Sequence, residues 1–111
     1  MKGKVMLLNS EYIGAGDQTL GAEMLMTLLN SLVKRKDKPD AIILWNKAVK
    51  LMTAESTAAG PLRELEIEGV RILGCILCLQ DLCIADAIKV GQAVTMDEIL
   101  DLLLNNEVIS L

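Results

Sequence analysis

The stretch Val70–Cys83, V-R-I-L-G-C-I-L-C-L-Q-D-L-C, decides the fold, and it contains all three cysteines of the chain. Its aliphatic start predicts a buried strand over Val70–Leu73, and the residues that follow predict a short helix over Cys78–Ala87. A strand that leads directly into a helix is typical of a parallel α/β sheet, in which active side chains collect where the strands end. We therefore expect Cys75 and Cys78 to lie at that edge of the sheet.

The position of these thiols at the start of a helix also predicts their reactivity. The aligned peptide dipoles and unpaired N–H groups of a helix N-terminus favour negative charge, which lowers the pKa of a thiol there. The chain contains no histidine. Any base that removes the thiol proton must therefore be a carboxylate, a lysine, a second thiol or water.

The composition indicates one small domain over residues 1–111, with 52% hydrophobic residues, no Phe, one Trp and one Tyr. Its core must be aliphatic. The apolar runs are much shorter than the ~18 residues of a membrane span, and the apolar run near the N-terminus is too short for a signal peptide. Three closely spaced cysteines without an export signal indicate reduced thiols, so we predict a cytoplasmic protein with no membrane partner.

The charge balance argues against nucleic acid as a partner, because the net charge is −4 and only 2% of residues are aromatic. Nucleic-acid binding requires a basic surface and, for single strands, aromatic platforms on which bases stack. The basic run Lys34–Lys38 falls at a predicted helix end, where cations complement the helix dipole. We interpret it as a solvated helix terminus.

Strands and helices alternate along the whole chain. The predicted strands besides Val70–Leu73 are Lys4–Asn9, Ala41–Asn46, Ile88–Val90 and Glu107–Leu111. The predicted helices besides Cys78–Ala87 are Leu20–Val33, a helix from Ser56 or Gly60-Pro61 up to Gly69, and a helix capped by Thr95 that runs to about Leu104. Asn46–Ser56 is expected to pass over one edge of the sheet. Alternation without hairpin signals predicts an α/β fold, a three-layer α/β/α sandwich around a mostly parallel sheet of about five strands.

Several polar and small residues follow the predicted strands and are candidates to line a binding site. These candidate binding residues are Asn9, Gly14, Gly16, Asp17, Asn46 and Gly74. The glycine-rich loop Gly14–Asp17 fits neither G-x-G-x-x-G nor the P-loop. The aspartate of this loop, Asp17, would repel a phosphate. We predict that Asp17 caps the helix that follows. No motif indicates a cofactor.

The motif Cys75-Ile-Leu-Cys78 leaves three hypotheses open. The first is redox or sulfur-carrying chemistry, with Cys78 as the nucleophile and Cys75 as a neighbouring or resolving thiol. The second is a metal or iron–sulfur site completed across subunits, since zinc requires four ligands and one chain offers three thiolates. The third is that the cysteines are small apolar residues of the core. Core packing is the prediction for Cys83, inside the expected helix.

Five segments of the sequence resemble the DsrE/DsrF-like family, in order and over nearly the whole chain. They are V-M-L-L-N-S-x₃-G-A-G-D-x₂-L-G from Val5, W-N-x-A-V-K-L from Trp45, Glu55-Ser56, E-G-V-R-I-L-G-C-x-x-C-L from Glu68, and K-V-G-x₃-T-M-x-E-I from Lys89. Within the family, the sequence is most similar to the C-terminal domain of YedF-type proteins, described as sulfurtransferase-like or selenium-metabolism proteins.

The resemblance implies a flavodoxin-like or Rossmann-like fold that assembles into homo-oligomers, often trimers or hexamers. It further implies that a cysteine carries sulfur, or selenium, as a persulfide-type adduct and relays it to a partner. Cys78 best matches that cysteine, with Cys75 as its companion. Because YedF-type proteins usually carry an N-terminal TusA-like domain, such a domain is the expected sulfur partner. A non-catalytic oligomeric module with structural cysteines, self-associating through the helix Met96–Leu104, is the alternative.

Overall fold

The structure, a computed structural model, describes residues 3–111 as a five-stranded, fully parallel sheet with the strand order β4-β3-β2-β1-β5. The strands are β1 (Lys4–Leu8), β2 (Ala41–Leu44), β3 (Arg71–Cys75), β4 (Gln92–Val94) and β5 (Glu107–Ser110). The helices are α1 (Gln18–Val33), α2 (Ala59–Ile67), α3 (Ile76–Asp81) and α4 (Met96–Asn105), with 3₁₀ segments at Asn46–Met52 and Ala85–Ala87. The predicted α/β fold is confirmed.

The helices cover the two faces of the sheet unequally. Each connection from β1 to β4 moves one strand in the same direction, so right-handed crossovers place α1, α2 and α3 on one face. The connection from β4 to β5 runs back across the sheet, and it places α4 alone on the other face. The larger core cluster therefore contains residues of α1, α2, α3 and the first 3₁₀ segment, whereas the smaller one contains Ile99, Leu102 and Leu103 of α4.

The inner strands are buried on both faces, which is why they read as uninterrupted aliphatic runs. All four residues of β2 are fully buried, and no polar side chain in residues 3–111 is buried. No helix within the same range is long and apolar enough to span a bilayer. The aliphatic core predicted from the absence of phenylalanine is therefore the core observed.

The predicted strand Ile88–Val90 is wrong, since β4 begins at Gln92. The two residues before Val90 pair elsewhere, because Ile88 forms an isolated antiparallel bridge with Thr53 and the Lys89 N–H donates to the Met52 carbonyl at 2.8 Å. Gly91 then turns the chain with a φ of +77°. A Cβ at Gly91 would lie 2.5 Å from the Ile72 carbonyl oxygen, so glycine is required at this turn.

The predicted helix Cys78–Ala87 is also wrong, since α3 begins at Ile76 and ends at Asp81. The helix stops because Cys83 adopts a left-handed conformation, with a φ of +58°. The Cys83 N–H donates to the Gln80 carbonyl and the Ile84 N–H to the Leu79 carbonyl, both at 3.0 Å. This is the Schellman arrangement, which usually has glycine at the left-handed position. Cys83 is consequently exposed, and the prediction that it packs in the core is wrong.

Other local predictions are confirmed, with small changes in boundaries. Gly69 ends α2 with a φ of +100°, and Thr95 caps α4 as predicted, forming a capping box with Glu98. The third strand extends to Cys75 rather than ending at Leu73. The second helix begins at Ala59, between the two predicted starts, and Pro61 is its third residue. Proline is tolerated there because N–H groups in the first turn have no helical partner.

Gly74 provides a test of how tightly β3 packs. A Cβ at Gly74 would lie 2.5 Å from the Met52 sulfur and 3.3 Å from Leu79 Cδ1. Both neighbours are buried and cannot move away freely, so Gly74→Ala should lower the free energy of unfolding by about 1–3 kcal/mol in urea denaturation. The control is Gly60→Ala in α2, where a Cβ meets nothing within 4 Å. Gly60→Ala should leave the free energy of unfolding unchanged or raise it by up to about 1 kcal/mol. Equal effects of the two substitutions would contradict tight packing at Gly74.

Candidate functional site

An open groove of about 520 Å³ lies where β2 and β3 end and α3 begins. This cysteine groove is formed mainly by the residues that follow β2, the first two turns of α3 and the first residue of α4. Its lining residues are Trp45, Asn46, Lys47, Cys75, Leu77, Cys78, Asp81, Leu82 and Met96. The structure therefore brings together three of the predicted site residues, namely Asn46, Cys75 and Cys78.

Cys78 is the half-buried thiol of the groove and the third residue of α3. Its Sγ accepts a hydrogen bond from the backbone N–H of Asn46 at 3.1 Å. Asn46 adopts a left-handed conformation, with a φ of +52°, at the start of the first 3₁₀ segment. Asparagine tolerates this region better than most residues. The bend after β2 thus presents a backbone donor to the cysteine that follows β3.

Cys75 is the last residue of β3, and only 1% of it is exposed. It belongs to the core cluster that lies under α4, and Cys78 packs against the edge of that cluster. The two thiols of the C-x-x-C motif therefore differ in access, because Cys78 is open to the groove and Cys75 lies beneath it. Cys83 is absent from the groove lining.

The structure contradicts the prediction that the pKa of Cys78 is lowered. Burial raises the pKa of the Cys78 thiol, and the Asn46 N–H bond, which lowers it, offsets this only in part. The neighbouring Cys75 thiol and the Asp81 carboxylate raise the pKa further. The single N–H donor, that of Asn46 in the bend after β2, is outweighed by desolvation and by these neighbours. At neutral pH the thiol is therefore mostly protonated.

Asn9 does not line the groove, but it supports one of its walls. The Trp45 indole N–H donates to Asn9 Oδ1 at 2.7 Å, and the Asn9 amide donates to Ser110 Oγ at 2.9 Å and the Leu111 carbonyl at 2.8 Å. These bonds join the ends of β1, β2 and β5. Asn9 is therefore a positioning residue for Trp45 rather than a ligand-contacting residue.

The glycine-rich loop and Gly74 also lie outside the groove lining. Gly14 and Gly16 are exposed, and Asp17 Oδ1 accepts the Leu20 N–H at 2.8 Å, which is the predicted helix cap. Gly74 is buried within β3, where its missing side chain makes room for Met52. Asp17 and Gly74 thus have structural explanations that do not require a ligand.

Six groove residues were not predicted from the sequence: Trp45, Lys47, Leu77, Asp81, Leu82 and Met96. Asp81 could have been found, since it follows Cys78 by three residues and a helix places such residues on one face. Leu77 is 66% exposed although it is a leucine, and Met96 reaches the groove from α4. Sequence spacing alone does not predict that Leu77 or Met96 lines the groove.

The metal hypothesis requires ligands from a second subunit, because residues 3–111 of one chain do not form a complete site. No group of three or more Cys, Asp or Glu side chains in that range is placed to hold a metal ion. In the cysteine groove, the two thiols are accompanied by one carboxylate, that of Asp81.

The five-stranded parallel sheet, with three helices on one face and one on the other, defines an α/β protein with a DsrE-like fold. No protein-family model and no curated protein matches the sequence. Among solved structures, the chain is similar to the ychN protein from E. coli, with a TM-score of 0.71, 16% identity and 100% of both chains covered.

Two further structures share the fold. One is MTH1491 from Methanobacterium thermoautotrophicum, with a TM-score of 0.68, 15% identity and 97% of each chain covered. The other is BT1422 from Bacteroides thetaiotaomicron, with a TM-score of 0.70 and 20% identity over 98% of this chain and 95% of that one. Both are described as proteins of unknown function. At these identities the likeness establishes the fold alone.

Removing the Asn9 side chain should loosen the groove wall. Asn9→Ala deletes three hydrogen bonds between solvent-accessible groups. Since such bonds contribute about 0.5–1.5 kcal/mol each at most, we expect unfolding to be easier by about 1–2 kcal/mol. Fluorescence of Trp45, the only tryptophan, should change in the folded protein. Asn30→Ala, on the exposed face of α1, is the control and should change neither quantity.

The raised pKa of Cys78 predicts how alkylation depends on pH. The thiolate is the reacting form, so the midpoint of iodoacetamide labelling at Cys78 should lie at higher pH in the folded protein than in urea. Asp81→Asn removes a charge that disfavours the thiolate and should move the folded midpoint to lower pH. Asp86→Asn is the matched control. A folded midpoint below the unfolded one would show that the helix terminus dominates after all.

Proposed function

We propose that this protein is a cysteine-based sulfur carrier that forms a persulfide on Cys78 and passes it to a partner. The observation that carries the proposal is the position of Cys78 Sγ, which faces an open groove at the carboxyl edge of a parallel sheet. There it accepts the Asn46 N–H at 3.1 Å. In open α/β sheets, ligands bind at this edge.

The sulfur transfer requires only groups that the groove and a donor supply. The Cys78 thiolate attacks the outer sulfur of a donor persulfide, a new S–S bond forms at Sγ, and the old S–S bond breaks. The donor leaves as a thiolate. The Cys78 proton passes to water or to Asp81, the carboxylate of the groove. A raised pKa lowers the amount of thiolate at neutral pH but makes that thiolate more nucleophilic.

Cys75 has a place in this scheme because it lies next to Cys78 but is closed to solvent. Attack by Cys75 on Sγ of the Cys78 persulfide would form a Cys75–Cys78 disulfide and release hydrosulfide. Only 1% of Cys75 is exposed, so a donor in solution cannot reach it directly. We therefore assign Cys75 chiefly to setting the environment of Cys78, with resolution as a slower side reaction.

The resemblance to YedF-type domains supplies the finer parts of the proposal. They include selenium as an alternative cargo, a TusA-like domain as the partner, a trimeric or hexameric assembly and a cytoplasmic location. A reducing compartment would keep all three free cysteines as thiols.

Mass spectrometry after incubation with cysteine persulfide tests the proposal. The peptide that contains Cys78 should gain one sulfur atom, and Cys78→Ser should abolish the gain there. Cys83→Ser is the matched control, because that thiol is exposed but absent from the groove lining. It should leave loading of Cys78 unchanged. If Cys83 gains sulfur while an intact Cys78 thiol does not, the carrier hypothesis is wrong.

A non-catalytic oligomeric module is the second candidate, and one observation favours it. Nine large hydrophobic side chains in residues 3–111 are exposed, three of them on α4. Native-state labelling separates the two candidates. Labelling of Cys78 in the folded protein supports the carrier, whereas labelling only after unfolding supports the module.

A further inference from the structure

The apolar surface of α4 is wider than the sheet can cover. Ile99 is fully buried against the sheet and Leu102 and Leu103 are half-buried. Met96, Leu100 and Leu104, spaced four residues apart, are 42%, 44% and 75% exposed. Residues at this spacing lie in one row on a helix. They form a stripe roughly 12 Å long, which we call the α4 stripe.

The α4 stripe is continuous with the cysteine groove. Its first residue, Met96, lines the groove together with Cys78, and so does Leu77, which is 66% exposed. A protein segment that lies along the stripe therefore reaches the mouth of the groove. Contiguous apolar surface beside a reactive side chain is typical of a protein docking site.

The charges around the α4 stripe identify the kind of partner that fits. Asp97 and Asp101 follow the stripe residues by one position, so they lie along one flank, and both are exposed. From Val90 to the end of the described chain there are four carboxylates and no lysine or arginine. A second copy docked symmetrically through this helix would bring like charges together, which disfavours that pairing.

We propose that the α4 stripe is the docking surface for a separate sulfur-exchanging protein whose contact segment is apolar and flanked by lysine or arginine. This inference rests on the proposed function. Apolar contact along α4 fixes the position of the partner, and the flanking carboxylates attract its basic residues. The partner cysteine then enters the groove beside Leu77 and faces Cys78.

Two synthetic persulfide peptides test this docking surface. Both have a helical leucine face and one terminal cysteine persulfide. One carries lysines on its flank and the other carries glutamates. At low ionic strength, the lysine peptide should load Cys78 about tenfold faster than the glutamate peptide, and salt should reduce the difference. Loading of Cys78 is measured by mass spectrometry. Cysteine persulfide is the small reference donor with which both peptides are compared.

The variants separate apolar contact from charge. Leu100→Ser with Leu104→Ser, and Asp97→Asn with Asp101→Asn, should each remove most of the advantage of the lysine peptide. Neither pair should change loading by the small donor, because none of these four residues lines the groove. The matched controls are Leu20→Ser with Ile67→Ser and Glu23→Gln with Glu64→Gln, which are exposed elsewhere. They should leave the advantage intact.

Binding is measured separately, so that failure of docking and failure of the carrier function are distinguishable. Fluorescence anisotropy of a labelled lysine peptide with the Cys78→Ser protein should show affinity that both α4 variants weaken, whether or not sulfur is transferred. Equal affinity for the two peptides, or affinity that the α4 variants leave unchanged, overturns the docking surface. So does a wild-type oligomer that Leu100→Ser with Leu104→Ser dissociates in sedimentation, because a second copy would then cover α4.

Discussion

The parallel register of β2 and β3 is the constraint on which the cysteine groove depends. Leu44 lies beside Gly74 in the ladder, so the chain segments that leave the two strands emerge next to each other. The bend at Asn46 can then meet the first turn of α3, and its N–H reaches the thiol of Cys78. A slip of one residue would move the end of one strand by about 3.3 Å along the other and exchange its side chains between the two cores, which would break this meeting.

Desolvation and hydrogen bonding act against each other at Cys78. The same packing that holds the thiol beside Asn46 removes it from water, and burial is the larger effect on its pKa. Such a thiol resists alkylation and oxidation at neutral pH more than an exposed one does. This behaviour suits the proposed carrier role, in which Cys78 would receive sulfur from a docked donor and not react with oxidants in solution.

Much of this structure could be predicted because its signals are local. The capping box at Thr95, the cap at Asp17 and the glycine that ends α2 each occupy a few adjacent residues. The end of α3 could not be predicted, because the left-handed position that ends it is occupied by Cys83 where glycine is usual. Only the packing of the whole chain determines where this helix ends. The location of β4 was missed because Ile88 pairs with Thr53, far away in sequence. The groove likewise combines residues from three segments, and only its two cysteines and Asn46 were anticipated.

The position of β5 has a consequence for folding while the chain is being synthesised on the ribosome. β1 is synthesised first but keeps one edge unpaired until β5 arrives, and the Asn9 amide joins a residue 102 positions later. Until then, an aliphatic strand with open backbone donors and acceptors faces water or any neighbouring nascent chain. Polysomes that translate this message densely should thus favour mispairing between unfinished copies, and a chaperone that shields β1 would relieve it.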